Sequence, residues 1–427
     1  MEMNPRQLLV DSFHAAVAAA DPLRILPPHL PRPPKGKTLV VGTGKAAGSM
    51  ALAVEQHWPV QAPLEGLVVT RYGHGLLTNR VKVIEAGHPV PDEAGGAAAK
   101  EILRAARSLG PDDLLLVLVS GGGSALLSLP AEDVSMRDLK ATTRELLRCG
   151  APIQDMNTVR KHLSAIQGGR LAAACKAPVL ALIVSDVTGD DPTHIASGPC
   201  APDPTTYADA LDILDRHGVD APQAVRAYLE RGTTGAITDT PKAGERVFGR
   251  VENRVIATAQ TSLQAAARHF RNNGVAAAVL GDSVTGEASE VAKALGAIAR
   301  QVTAHSEPWK PPVALVTGGE CTVTVSDGGA GRGGRCTEFL LSLAIDLAGL
   351  PNVHAIACDT DGIDGTEDNA GAVLTPDTLA RAAALRLSAK SLLAGHDSYG
   401  FFSALSDLVV TGPTRTNVND YRAILIT

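Results

Sequence analysis

The stretch Thr38-Leu39-Val40-Val41-Gly42-Thr43-Gly44-Lys45-Ala46-Ala47-Gly48 passes from an apolar run through a glycine turn into small helix-forming residues. Thr38–Val41 reads as a buried strand and Gly48–Glu55 as the helix that follows it. Two glycines in the turn let the backbone approach an anion, and a helix N-terminus supplies amide donors and partial positive charge. The same residues satisfy the dinucleotide pattern G-x-G-x-x-G/A through Gly42, Gly44 and Ala47. The next apolar run ends in Thr70-Arg71, where an NAD site would place an acidic residue for the ribose; an arginine is compatible with NADP. Lys45 stands at the mouth of the turn, either as a point charge for a carboxylate or phosphate or as a solvated lysine on a structural turn.

Outward from this stretch the same rhythm repeats. Gly66–Thr70, Val81–Glu85, Leu114–Ser120 and Val179–Ser185 read as further buried strands, with Glu93–Leu109 and Met136–Leu147 as helices between them. Strands alternating with helices predict a mostly parallel sheet covered on both faces, with ligands beyond the carboxyl ends of the strands. Arg231–Arg250 has no apolar period and marks a boundary, giving domains 1–235 and 236–427. A second series follows at Val255–Thr258, Ala276–Leu280, Val313–Thr317, Cys321–Val325, Val353–Cys358, Leu408–Thr411 and Arg422–Ile426. Val313–Thr317 and Cys321–Val325, separated by Gly318-Gly319-Glu320, read as an antiparallel hairpin, so the second sheet is expected to be mixed. The fold class is therefore α/β in two domains.

The polar clusters fall at strand ends. Ser120-Gly121-Gly122-Gly123-Ser124 follows a strand directly, and consecutive amides turned to one point form a nest for phosphate oxygens. No Lys-Ser/Thr follows, so this is not a Walker sequence; the bland alternative is a tight packing turn. Asn157 to Ser164 contains Arg160 and Lys161, with Arg170 nearby, a concentration of positive charge that suits a small anion or a solvated helical face. Asp186, Asp190 and Asp191 close another strand, where carboxylates hold magnesium, accept a proton from a hydroxyl, or cap the next helix. In the second half, Gly318-Gly319-Glu320, Gly331-Arg332-Gly333-Gly334-Arg335 and Asp359-Thr360-Asp361-Gly362-Ile363-Asp364 again set glycines beside charge. Asp359, Asp361 and Asp364 have the spacing of the start of a calcium loop, but its terminal glutamate is missing.

Composition narrows the classes. The chain has 427 residues, 45% hydrophobic and 20% charged, with a formal net charge of −6, which gives no support for nucleic-acid binding. Six scattered cysteines form no close pairs, which points to a reducing compartment and no zinc site. No apolar run approaches the roughly 20 residues that span a bilayer. Met1–Ala20, interrupted by Asp11 and His14, reads as an amphipathic helix, and a cytoplasmic protein without membrane or nucleic-acid partners is expected.

Taken in order, these motifs resemble the glycerate 2-kinases whose C-terminal region is called the MOFRL domain, a family in which some members are labelled hydroxypyruvate reductase. The resemblance runs from Gly42 to Asn419. It implies a Rossmann-like first domain, a mixed α/β second domain, an active cleft between them, and use of ATP and Mg2+ to phosphorylate D-glycerate at its 2-hydroxyl. Lys45 and Arg335 match the family's principal catalytic cations. Arg335 opens the helical run Glu338–Leu347, where the dipole disfavours an unpaired cation unless an anion sits there. With this resemblance, Gly121, Gly122, Gly123, Ser124, Gly318, Gly319 and Glu320 are assigned to the nucleotide. Gly44, Ser120, Asn157 and Arg160 are assigned to the substrate. Asp186 and Asp191 are assigned to catalysis, and Asp186, Glu320 and Asp361 to metal. Cys336-Thr337 stands where the family usually has Asn-Gln, which bears on any substrate contact made there. The alternatives are an NADPH-dependent hydroxypyruvate reductase, favoured by the Gly42–Ala47 pattern and Arg71, and a non-catalytic sensor of sugar-acid phosphates. Oligomeric state is left open, a homodimer included.

Overall fold

A computed structural model describes residues 4–325 and 331–427. They form two compact units, one of Pro22–Ile256 and one of Met1–Asp21 with Ala257–Thr427.

The first unit is built on six strands: β1 Thr38–Thr43, β2 Leu64–Arg71, β3 Val81–Ala86, β4 Leu114–Val119, β5 Val179–Val184 and β6 Val251–Ala257. They lie in the order β3-β2-β1-β4-β5-β6, with β1 parallel to β2 and β4, β2 parallel to β3, and β4 parallel to β5. Because side chains alternate across a strand, Leu39, Val41, Leu67, Val69, Leu115 and Val117 pack with Ala99, Ile102 and Ala106 of the helix Glu93–Arg107 on one face. The helix Ala47–His57 packs against the same strands and buries Met50, Ala51 and Val54. Both faces are thus covered, which is why β1, β4 and β5 are buried at every position and β4 and β5 are apolar throughout.

The second unit carries β7 Ala276–Gly281, β9 Val313–Gly319, β11 Val353–Asp359, β12 Gly371–Leu374, β13 Leu408–Val409 and β14 Asp420–Ile426, in the order β13-β12-β11-β14-β9-β7. Only β7 and β9 pair in parallel; the other neighbours are antiparallel, so the sheet is mixed as expected. The expected hairpin does not form. Both edges of β9 are already taken, by β14 and β7, and the chain turns away at Gly319 with φ +106°. Cys321–Thr322 (β10) instead pairs in parallel with Gly286–Glu287 (β8).

Two boundaries differ from the sequence expectation of 1–235 and 236–427. The run read as the first strand of the second series is β6, the edge of the first sheet. At the other end, the helix Pro5–Ala18 lies against the helix Ala259–Asn272 and seals one face of the second sheet with Leu9, Phe13 and Ala16. Among the described residues no helix is long and apolar enough to cross a membrane.

Candidate active site

In the first unit, two glycine turns at the carboxyl ends of β1 and β4 are laced together. Gly44, at φ +120°, has Ser120 where its side chain would be: a Cβ there would lie 2.2 Å from Ser120 Oγ and 2.3 Å from its carbonyl oxygen. The Lys45 amide donates to the Gly121 carbonyl (2.9 Å) and the Ala46 amide to Ser120 Oγ (3.0 Å). Ser120 N–H in turn donates to Thr43 O (3.0 Å), and Thr43 Oγ1 donates to Gly123 O (3.1 Å). The two amides at the start of this helix therefore bind the neighbouring loop. The turn is closed by protein where a dinucleotide site would hold a pyrophosphate.

A third segment joins them. Ala196, Ser197 and Gly198 are all left-handed, with φ of 51°, 57° and 55°, a conformation that two non-glycine residues hold only under tertiary constraint. That constraint is visible: the Ala196 methyl fills the space where Gly123 would carry a Cβ, and Ser197 Oγ donates to Ser124 Oγ (2.9 Å) and Asn157 Oδ1 (3.2 Å). Asn157 also donates to the His194 carbonyl at 3.3 Å.

The charges around these loops are mostly positive. Burial pulls the Arg160 guanidinium down to about 10, and its closest polar partner is Asn157 Oδ1 at 3.5 Å; no carboxylate pairs with it among the described residues. The expected basic group nonetheless splits in two, because neighbouring helical residues point about 100° apart. Lys161 turns inward to a fully buried ion pair with Asp203 (2.6 Å), and Arg170 donates to the Lys161 carbonyl (2.7 Å) and to Tyr207 (3.2 Å), leaving Arg160 on the glycine-loop side. Lys45 lies with its Cγ 3.5 Å from the point where a Gly122 side chain would begin. His88, which the sequence reading missed, reaches that same point from the end of β3, with Cδ2 and Nε2 both at 3.0 Å. Burial and then the Lys45, Arg71, Arg160 and His74 charges push its imidazole down to about 3, so it is neutral at ordinary pH. Its signal was positional: His88 stands two residues beyond a strand, at the ligand-binding edge of a parallel sheet. Of the acidic cluster, Asp191 is exposed and accepts the Thr193 amide (2.9 Å) within a local turn, not as a cap of the next helical turn Ile195–Ser197, whose N-cap is His194, while Asp186 is half-buried beyond the end of β5.

In the second unit, Arg335 is the first residue of the helix Arg335–Leu347, as expected, but it is not an unpaired cation. Its Nε donates to Asp420 (2.7 Å), its Nη2 to Asp359 (2.6 Å), and Glu320 lies 3.5 Å away; the first two carboxylates are buried and Glu320 is exposed. These carboxylates hold its pKa well above the usual value against the cost of burial, so the protein itself answers the dipole argument for a bound anion. Asp420 also pairs with the fully buried Arg422. Asp364 caps the helix, accepting Cys336 N–H (3.0 Å), Thr337 N–H (2.8 Å) and the Thr337 hydroxyl (2.7 Å). Gly334 is glycine for that reason: a Cβ would lie 2.2 Å from the Asp364 carboxylate. Cys336 and Thr337 are thereby both buried inside the cap, so their departure from the family pattern changes packing, and neither side chain faces outward. Gly319 is also explained by packing, since the backbone of Val284 occupies the place of its side chain at 2.3–2.4 Å, whereas a Cβ on Gly318 would meet Leu263 Cδ1 at 3.1 Å. Asp361 is buried and accepts the Ile363 amide (2.8 Å).

Magnesium is the cation that the family implies. Among the described residues no group of three or more His, Cys, Asp or Glu is arranged to hold a metal. Magnesium usually binds one or two carboxylates together with substrate phosphates, so the hard oxygen donors here fit a metal that arrives with a nucleotide.

The fold and these loops define an α/β protein with glycine turns and basic side chains gathered at the carboxyl edge of a parallel sheet. The profile of a domain of unknown function, DUF4147, matches residues 8–230, and that of the MOFRL family matches residues 313–420. A protein of Agrobacterium vitis named "Putative hydroxypyruvate reductase" is 49% identical over 426 residues, covering 100% of this chain and 95% of its own. The "Glycerate 2-kinase" of Pyrococcus horikoshii is 40% identical over 395 residues, covering 92% of this chain and 88% of its own. The solved structure of glycerate kinase from Thermotoga maritima superposes with a TM-score of 0.86 at 36% identity, over 99% of each chain. The chain belongs to the MOFRL family.

Proposed function

We infer that this protein is a glycerate 2-kinase, transferring the γ-phosphoryl group of ATP to the 2-hydroxyl of D-glycerate. The observation that carries this reading is Arg160, a half-buried guanidinium without a carboxylate partner among the described residues, which lines the same hollow as Ser124 of the second glycine turn. A half-buried cation with no carboxylate beside it gains from an anion that joins it, and the planar guanidinium matches a carboxylate with two parallel hydrogen bonds. Arg160 is assigned to the glycerate carboxylate, with Asn157 and Ser197 fixing the loop beside it. Phosphoryl transfer is mainly a matter of position and charge, because the transition state spreads charge over the phosphoryl oxygens. Lys45 and the Gly121 and Gly122 amides are assigned to those oxygens. Arg335 is assigned to the same chemistry from its carboxylate cluster, and Glu320, the exposed member of that cluster, to magnesium. Bound magnesium would offset phosphate charge.

The reductase reading draws on the name of the Agrobacterium relative. Against it stands the first glycine turn, whose Lys45 and Ala46 amides are taken by Gly121 and Ser120. Purified protein with D-glycerate and MgATP should yield 2-phosphoglycerate by NMR and lose activity in EDTA without unfolding. Enzyme-dependent oxidation of NADPH by hydroxypyruvate, with no phosphorylated product, would reverse the assignment.

A further inference from the structure

We propose that His88 accepts the proton of the glycerate 2-hydroxyl and does so only when both anionic substrates are bound. This rests on the kinase reading above. His88 follows β3 at the same edge of the sheet as the turns after β1 and β4. Its ring reaches the point above Gly122 that Lys45 also approaches, and Gly122, at φ +78°, leaves that point open by having no side chain. Neither ring nitrogen of His88 is hydrogen-bonded among the described residues, which leaves Nε2 to a ligand. Of the two aspartates assigned to catalysis, Asp191 is exposed and accepts the Thr193 amide, and Asp186 is half-buried beyond β5.

Burial is the largest influence on the His88 ring, and the charges that add to it explain the condition. Lys45 comes from the turn after β1, Arg71 and His74 from the end of β2, and Arg160 from the helix Ile153–His162; each disfavours a second proton on the ring. The nearby acids are committed elsewhere. Asp92 accepts from Gly95 N–H (3.0 Å) and Tyr72 OH (2.8 Å), and Glu85 from the amides of Gly73 and Gly75. In the free enzyme the imidazole is therefore a neutral, weak base. When a carboxylate neutralises Arg160 and phosphates neutralise Lys45, the part of the depression that those two charges cause is lifted, and the ring becomes more basic while burial still holds it below its ordinary value. As the 2-hydroxyl oxygen bonds to the γ-phosphorus, the bond from that phosphorus to the β,γ-bridging oxygen breaks. Its electron pair leaves with ADP, and the hydroxyl proton passes to His88 Nε2 and then to solvent.

The test begins with the wild-type enzyme on D-glycerate and MgATP; absence of 2-phosphoglycerate would overturn the kinase reading and this proposal with it. Given wild-type activity, His88→Gln and His88→Asn should each lower kcat by about a hundredfold or more, the usual share of a general base. KM for both substrates should stay within about threefold, and the acid limb of the kcat–pH profile should disappear. Deuterium exchange at the imidazole carbon, followed by mass spectrometry on the wild-type peptide containing His88, needs no variant. Its apparent pKa should rise when glycerate and a non-hydrolysable ATP analogue are added together. An unchanged pKa, wild-type kcat in the variants, or a retained acid limb would sink the proposal while leaving the kinase assignment standing.

Discussion

Lys45 runs its stem past Gly122, so Lys45→Met keeps the packing and removes only the charge. The expected result is a fall in kcat of at least about a hundredfold, as when a group stabilising transition-state charge is lost, with a melting temperature close to wild type. A variant that melts early, or that keeps its rate, would make Lys45 structural. Arg335 should behave differently, because its planar group bridges Asp420 and Asp359 through two nitrogens. A single ammonium cannot repeat that geometry. Arg335→Lys is therefore expected to lower kcat and also to cost about 1–3 kcal/mol in denaturant melts, the penalty of a buried group left poorly paired. Arg332→Lys, which loses only a contact over the Tyr399 ring at 5.0 Å, should stay within about 0.5 kcal/mol of wild type. Equal behaviour of the two arginine variants would deny Arg335 its bridging role.

At the scale of elements, the two glycine turns act as one unit and the helix Arg335–Leu347 depends on its cap. Gly44→Ala would drive a methyl into Ser120 from a left-handed residue, so the turns must part. Loss of activity together with about 1–3 kcal/mol of stability is expected, and full activity in this variant would show that the lacing is dispensable. Asp364 provides a pH test. Burial raises its carboxyl to about 6, above the ordinary value of about 3.9, although its three hydrogen bonds pull the other way. Between about pH 4 and pH 6 the folded protein keeps a proton that the unfolded chain has lost, so this group's contribution to stability falls as pH rises through that window. Wild type should thus lose stability relative to Asp364→Asn from pH 4 to 6 and hold a constant difference above pH 7. A flat difference across the whole range would rule out the raised pKa.

For the whole molecule, the chain's first helix belongs to its last sheet. Phe13 is fully buried with Phe270, Val316 and Tyr421. Phe13→Ala should cost about 3–5 kcal/mol, with amide exchange accelerating in Ala259–Asn272 and β14 and much less in β1 and β4. Faster exchange confined to Pro22–Ile256 would contradict that placement.

Much of this was legible in the sequence, for a local reason. A strand buried on both faces is largely apolar, so β4, β5 and the middle of β1 and β2 declare themselves, and glycine turns follow β1 and β4 at the carboxyl edge. The placing of Lys45 and Arg160 near that edge was readable for the same reason, as was the helix start at Arg335. What depended on distant contacts was not. The partner of Cys321–Thr322 was decided by which edges of β9 were already occupied. The neutralisation of Arg335 by Asp359 and Asp420, and the inward turn of Lys161 to Asp203, join residues far apart in the chain. The left-handed run at Ala196 and Ser197 exists only because Gly123 leaves room for the Ala196 methyl. Composition and periodicity thus determined the layers and the edge where chemistry sits, because both are short-range properties. How the charges are paired was decided by tertiary structure, because a charge meets whatever the fold brings beside it, as Arg335 meets Asp359 and Asp420 and Lys161 meets Asp203.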